Sequence, residues 1–386
     1  MKLLCLGRDL RAAGAQRVQV TLLQHLDRTR VRPNAVYLSA DGPLASELPR
    51  DCEPFYGKLG RQGRSAAVAQ LCGELLRRAR RAECIFAMQE GSPTYLAVVV
   101  GKLTGKPVVG WIHGPWSRLL AAAPSWHRRV FPLLYPRLAQ AVCVSPGVAA
   151  DLTAMVPSLS ERTVVLPNPL DCARIRQLSA GDVPSWFPQQ ACAKVIVTCG
   201  RLTAEKGFDL LLEAFKVLLS RHPEAFLVVA GEGPGQNQLE SQVSRLGLRG
   251  RVRMPGPVSN PFPLMARASA VVVSSRFEGL GMTLLEAMTL GTPTVAFDCP
   301  GGGPRMALDD GRAGLLVPPE DVPALAAALD RILTQPELTA RLRDAGLRRV
   351  CAFDAPRAAR AFEDLFLRAA RWGLAPAGGA RQDRAA

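Results

Sequence analysis

Twice along this chain, short apolar runs alternate with stretches of helical spacing, and no other feature constrains the fold as tightly. The first series places strands at residues 2–6, 34–38, 84–88 and 108–112, with helical stretches at 16–26, 65–80 and 94–103 among them. Further strands are expected at 141–145 and 164–166. The pattern restarts with strands at 194–199, 226–230, 252–254 and 271–273. Alternation of this kind predicts a parallel sheet covered by helices, and two series predict two sheets, an α/β chain of two domains. PNPLD closes the first series, and the proline- and glutamine-bearing stretch 178–193 reads as a connection. The expected domains are therefore 1–175 and 176–355, followed by a helix over 356–375 and a disordered tail over 376–386.

In open α/β sheets, ligands sit at the carboxyl ends of the strands, so chemistry is sought in the loops that follow them. After the 271–273 run comes SSRFEGLGMTLLEAM, with Glu278, Gly279 and Gly281 in a loop. From Met282, the spacing of Leu284, Leu285, Met288 and Leu290 suits a helix with one buried face. The free N–H groups of such a helix start attract an anion. Glu278 and Glu286 bracket this loop. Carboxylates accept hydrogen bonds from sugar hydroxyls and repel phosphate at contact distance. A ligand carrying both sugar and phosphate therefore fits better than phosphate alone, although a bare Glu pair is by itself an ordinary solvated helix pattern.

Three other loops hold candidates. Arg201 and Lys206 follow the 194–199 run in GRLTAEKGF, either as solvated surface or as cations that neutralise a diphosphate on the same sheet edge. Gly14 lies in RDLRAAGAQRV after the first strand, where a missing side chain lets backbone approach a ligand. His113 leaves the 108–112 strand directly into a Gly-Pro turn, a ligand-edge position, although a lone histidine is more often structural.

With 386 residues and 48% hydrophobic content, the chain can build two full cores. No stretch reaches eighteen uninterrupted apolar residues, and the apolar start before Arg8 and Asp9 is too short for a secretory signal, so a cytoplasmic location is expected. The ten cysteines are scattered without CxxC, and Cys5, Cys143 and Cys199 lie in apolar runs as small hydrophobes. None of the four histidines has a metal-ligand spacing, so neither a metal nor another cofactor is expected. The net charge of +15 comes nearly all from arginine. It concentrates at Arg77, Arg78, Arg80 and Arg81, ending a helix with Leu71, Leu75 and Leu76 on one face. A second group, Arg128, Arg129 and Arg137, lies near Trp116, Trp126, Phe131 and Tyr135. Such mixtures suit an anionic membrane surface, and arginines solvating helix faces explain them equally well. No nucleic-acid-binding motif accompanies the charge, so nucleic acid is not expected as a partner.

Taken in order, AGAQRV, HGPW, LPNPLD, GRLTAEKGFDLLLEAF, VVAGEGPGQNQLE and SSRFEGLGMTLLEAMTLGTPTVA resemble the retaining family 4 glycosyltransferases of GT-B fold, among the glycosyl transferases group 1. The resemblance implies two Rossmann-like domains facing a central cleft, with the last helix crossing back onto the first domain. It implies a nucleotide-sugar donor held by the second domain and a glycan or lipid-linked glycan acceptor held by the first. By the same analogy, Glu286 takes the ribose hydroxyls and Glu278 those of the donor sugar. The backbone of Gly281, Met282, Thr283 and Leu284 takes the diphosphate, which Arg201 and Lys206 neutralise as it leaves. His113 lies close to the transferred sugar, and the Gly14 loop closes over it. The implied chemistry retains the anomeric configuration by front-side attack, without a metal. One departure is Ala13 before Gly14, where the family has paired glycines. CPGGGPRMALDDGRAGLLVPPED resembles the corresponding loop of members using UDP-linked sugars. The implied function is transfer of a hexose or N-acetylhexosamine in polysaccharide or lipopolysaccharide biosynthesis, peripherally at the cytoplasmic face of a membrane. The alternative is a GT-B-fold sugar-nucleotide isomerase that needs no acceptor.

Overall fold

The structure, a computed structural model, describes residues 1–11, 14–39, 42–57, 64–188 and 194–372. The expected tail at 376–386, Ala13 and the end of the 178–193 connection lie outside the described residues. The chain forms two compact units, one of Met1–Val144, Ala149–Pro169 and Ala355–Ala386, the other of Ser145–Val148 and Leu170–Asp354. Each is built on one parallel sheet.

The first unit has seven strands: β1 (Lys2–Gly7), β2 (Arg32–Tyr37), β3 (Phe55–Tyr56), β4 (Cys84–Ala87), β5 (Val108–Ile112), β6 (Gln140–Cys143) and β7 (Thr163–Val165). Their order across the sheet is β3-β2-β1-β4-β5-β6-β7, every pairing parallel, with Leu4 opposite Ile85 and Gly110 opposite Ala141. The order runs one way from β1 to β3 and the other way from β4 to β7. The β1/β4 neighbours are therefore the switch point, where an open α/β sheet leaves room for a ligand. β1, β4 and β5 are almost wholly buried, as continuous apolar strands of a sheet covered on both faces must be.

The helix Ala355–Trp372 belongs to this first unit. Its Phe362 lies 4.8 Å from the Trp111 ring, and its Phe366 lies 4.8 Å from the Phe86 ring. Buried Glu363 accepts hydrogen bonds from the Asp27 backbone N–H at 2.7 Å and the Arg30 guanidinium at 2.6 Å. Apolar burial holds the helix down, and a buried carboxylate with charged and backbone donors fixes its position.

The second unit has six strands: β8 (Val195–Cys199), β9 (Phe226–Ala230), β10 (Val252–Gly256), β11 (Ala270–Val273), β12 (Thr294–Phe297) and β13 (Leu315–Val317). They are ordered β10-β9-β8-β11-β12-β13, again all parallel, with the switch point between β8 and β11. The helices Phe208–Leu219 and Val322–Thr334 supply Phe208, Leu211, Phe215, Leu325 and Leu329 to its core. This is the α/β GT-B architecture of two Rossmann-like domains.

Several elements go beyond those expected. β12 and β13 extend the second sheet past the stretch read only as loop and helix, and β3 adds a two-residue edge to the first. The helix Cys172–Ser179 starts where a boundary was expected, capped by Asp171, whose side chain accepts from the Arg174 backbone N–H at 2.9 Å. Among the described residues, no helix is long and apolar enough to cross a membrane.

Candidate functional site

In the second unit the loops after β8 and β11 lie side by side because those strands are neighbours. Between Cys199 and the helix Phe208–Leu219, the chain makes one tight turn, Ala204–Lys206, that leaves Lys206 at the sheet edge. Glu278 comes from the loop after β11. The Lys206 Nζ donates to Glu278 Oε2 at 2.6 Å, and Ser275 Oγ donates to the same oxygen at 3.1 Å. Burial pulls the Lys206 pKa down, while the Glu278 charge and hydrogen bond push it up. The balance lies above the usual lysine value, so Lys206 stays an ammonium.

The two loops are tied together beyond that pair. Ser274 Oγ donates to the Lys206 carbonyl at 3.0 Å, and the Arg276 backbone N–H donates to the Glu205 carbonyl at 2.7 Å. The Arg276 guanidinium takes Asp209 in a fork, at 2.8 and 2.7 Å, and reaches Glu320 at 3.2 Å. Ser275, Arg276 and Asp209 therefore hold the pair in place, and sequence reasoning had not singled them out. Arg276 and Asp209 are 67 residues apart, which leaves no local signal for their pairing.

Gly281 is the N-cap of the helix Met282–Thr289, with φ 84° and no side-chain cap. A side chain there is strained by its backbone, and its Cβ would also meet Leu284 Cδ1 at 3.1 Å. Leu284 is fully buried, so it offers the site only backbone, whereas Met282 and Thr283 are partly exposed. Thr283 Oγ1 donates to the Cys199 carbonyl at 3.3 Å, fixing the helix start against the end of β8. Glu286 lies half-buried on the same helix, and its charge joins burial in raising the Cys199 pKa.

Arg201 does not share the surroundings of Lys206. It is exposed and pairs with Glu205 at 2.8 Å. The structure thus brings Lys206, Glu278, Gly281, Met282, Thr283, Leu284 and Glu286 to the edge of one switch point, with Arg201 on its surface.

His113 and Gly14 belong to the first unit. The His113 backbone N–H donates to Glu90 Oε2 at 3.3 Å, and its Nε2 donates to the Met88 carbonyl at 3.0 Å. Its ring lies 4.5 Å from that of Trp111. Burial lowers the His113 pKa against the opposing effects of Glu90, Met88 and Asn168, leaving a neutral imidazole at neutral pH. Gly14 is exposed at the start of the helix Gly14–His25, and a Cβ there would meet nothing within 4 Å. The chain's own packing does not require glycine at that position.

The arginine clusters take on more specific roles. Arg78 is tied to Glu74, Asn34 and the Glu53 carbonyl, and Arg77 to Glu74, whose pKa these contacts lower to about 2. Of the aromatics near Arg128 and Arg129, Trp116, Phe131 and Tyr135 are buried against one another, and only Trp126 is exposed. The expected surface mixture of arginines with four aromatics is corrected to arginines with one. Among the described residues, no group of three His, Cys, Asp or Glu side chains is placed to hold a metal ion.

Two family models match this chain, Glycosyltransferase Family 4 over residues 12–174 and Glycosyl transferases group 1 over residues 188–349. With the fold above, they show that the chain belongs to the group 1 glycosyltransferases. It is 28% identical to the alpha-D-kanosaminyltransferase of Streptomyces kanamyceticus over 314 residues, 77% of this chain and 80% of that one. It is 31% identical to the glycogen synthase of Mycobacterium tuberculosis over 266 residues, 68% of this chain and 60% of the synthase. The chain thus spans less than two thirds of the synthase's length. The structure of HepE from Anabaena, solved with UDP-glucose, superposes with a TM-score of 0.80 at 21% identity, covering 95% of this chain and 100% of HepE. Staphylococcus aureus TarM, solved with UDP, superposes with a TM-score of 0.74 at 11% identity, covering 95% of this chain and 99% of TarM. At these identities the likeness is one of fold.

Proposed function

We propose that this glycosyltransferase moves a hexose or N-acetylhexosamine from a UDP-linked donor to a glycan or lipid-linked glycan acceptor, retaining the anomeric configuration. The observation that carries the proposal is the 2.6 Å contact of Lys206 with Glu278 beside the uncapped start of the helix Met282–Thr289. An ammonium and a helix start together hold a diphosphate, and a carboxylate next to them accepts sugar hydroxyls. On donor binding, Lys206 turns from Glu278 to the diphosphate, which frees Glu278 for the donor sugar. As the sugar–phosphate bond breaks, the acceptor hydroxyl bonds to the same face of the sugar and its proton passes to the departing phosphate oxygen, while Lys206, with support from Arg201, stabilises the negative charge growing on UDP. Glu286 takes the ribose. Positive charge at the leaving group comes from side chains and helix backbone, so the proposed reaction uses no metal.

The relatives support this reading. HepE was solved with UDP-glucose and TarM with UDP. LpsE of Rhizobium meliloti, 30% identical over 205 residues, is a lipopolysaccharide core biosynthesis glycosyltransferase. We accordingly place the reaction in glycan assembly at the cytoplasmic face of a membrane. The isomerase alternative has no such support, since LpsE and the kanosaminyltransferase are both named as transferases.

Thermal shift with UDP, GDP and their sugar conjugates tests the donor class. At a hundredfold excess over Kd, a ligand selective for the folded state adds about 2.7 kcal/mol of stability. Stabilisation by UDP and one UDP-sugar is expected. Stabilisation by GDP with none by UDP contradicts the reading.

A further inference from the structure

A second group of side chains stands at the carboxyl edge of the first unit's sheet, and the donor reading leaves it unused. Arg8 follows β1, Glu90 and Gly91 follow β4, and Trp126 and His127 lie on the helix Ser125–Leu134. These strands flank the switch point of that sheet. Gly91 has φ 78°, and a Cβ on it would lie 3.4 Å from Arg8 Nη2, 3.5 Å from His127 Cε1 and 3.7 Å from Trp116 Cη2. Three side chains from three segments thus converge on one bare stretch of backbone.

The carboxylate of the group is turned away from its cation, since Glu90 Oε2 accepts from the His113 backbone N–H at 3.3 Å. The Arg8 guanidinium donates to the Glu90 backbone carbonyl at 3.3 Å, and among the described residues it pairs with no carboxylate. Burial and the neighbouring Arg8 both lower the His127 pKa, so His127 stands beside Arg8 as a neutral ring; its Nδ1 faces the Tyr95 hydroxyl at 3.1 Å. Trp126 stacks on His127 with ring centroids 3.8 Å apart and is 46% exposed, so part of the indole remains open. A half-buried guanidinium is a fork for a carboxylate or phosphate, and an open indole is a platform for the apolar face of a sugar ring.

We infer that Arg8, His127 and Trp126 form an anchoring site for the acceptor, and that the acceptor sugar bears a phosphate or a carboxylate. This inference rests on the transferase reading, in which the first unit takes the acceptor. It goes further by naming the anchoring residues and the acceptor's charge.

The test is calorimetric titration of the full chain, with and without saturating UDP, using glucose 6-phosphate, glucuronate and glucose as probes. At least one anionic sugar should bind about 10-fold more tightly than glucose, the scale of a hydrogen bond to a charged group. Arg8→Gln should erase that preference, and Arg8→Lys should keep part of it, since charge remains while the fork is lost. Trp126→Ala should weaken all three sugars, and none of the variants should change UDP affinity. Equal binding of the three sugars to the wild-type chain overturns the inference, as does an unchanged preference in Arg8→Gln. Weaker UDP binding by Arg8→Gln also overturns it, by moving Arg8 to the donor. Failure of the wild-type chain to bind UDP sinks the donor reading instead, and the titration without UDP still decides the anionic preference.

Discussion

Lys206 and Glu278 meet at 2.6 Å although 72 residues separate them. The sheet order explains the meeting: β8 and β11 are neighbours at the switch point, so the loops leaving them share one edge. Removing either partner leaves a partly buried charge without its counter-ion, which shows in binding and rate more than in folding.

Lys206→Ala should lower the turnover number by about 100-fold or more, the scale seen when one preorganised transition-state donor is removed. Steady-state kinetics with the UDP-sugar selected by thermal shift, alongside a circular dichroism melt, separates this from unfolding. A folded variant with near wild-type turnover would remove Lys206 from the mechanism.

Gly281→Ala forces a non-glycine residue to φ 84° and presses its Cβ towards Leu284. The expected cost is about 1–2 kcal/mol of stability together with weaker UDP binding. Gly14→Ala, which meets nothing within 4 Å, should leave the urea midpoint unchanged. If the two variants melt alike, the strain assigned to Gly281 is wrong.

His113 supplies a pH dependence whose sign is fixed by its burial. Its folded pKa is depressed below the ordinary 6.5, so below that pH the unfolded chain binds the proton that the folded chain resists. Its contribution to stability is complete above 6.5 and is lost as pH falls through the window beneath it. The difference in unfolding free energy between the wild-type chain and His113→Asn should therefore shrink from pH 7.5 to about 5. A constant difference across that range contradicts a buried neutral His113.

Phe362 is fully buried between Phe86 and Trp111. Phe362→Ala should cost about 3–5 kcal/mol by urea denaturation. A loss below about 1 kcal/mol would mean that the last helix is held by its ion pairs rather than by its aromatic face.

How far the sequence revealed all this follows from the range of each interaction. β1, β5 and β8 are continuous apolar strands, legible because a covered parallel sheet demands them. β13 has only three residues, and the helix Trp116–Ala122 is followed by one with Pro132 inside it, which breaks the periodicity that marks a helix. The helix Cys172–Ser179 was hidden in a proline-rich stretch, although Asp171 is a recognisable cap. Phe131 and Tyr135 stand four apart on one buried face, and that spacing could have separated them from exposed Trp126. Lys206 and Glu278 were visible as residue types in the right loops, but their contact depends on which strands are neighbours. Arg8 and His127 had no local signal, because only the fold brings them to Gly91.

Binding of UDP, measured by calorimetry on the wild-type chain, Lys206→Ala and Glu286→Ala, tests the proposed donor site most directly. The wild type should bind UDP, and Lys206→Ala should bind it about 10-fold more weakly. Glu286→Ala should weaken UDP but leave inorganic diphosphate unaffected, because the lost contact is to ribose. A wild-type chain that does not bind UDP, or variants that bind it as the wild type does, would contradict the account.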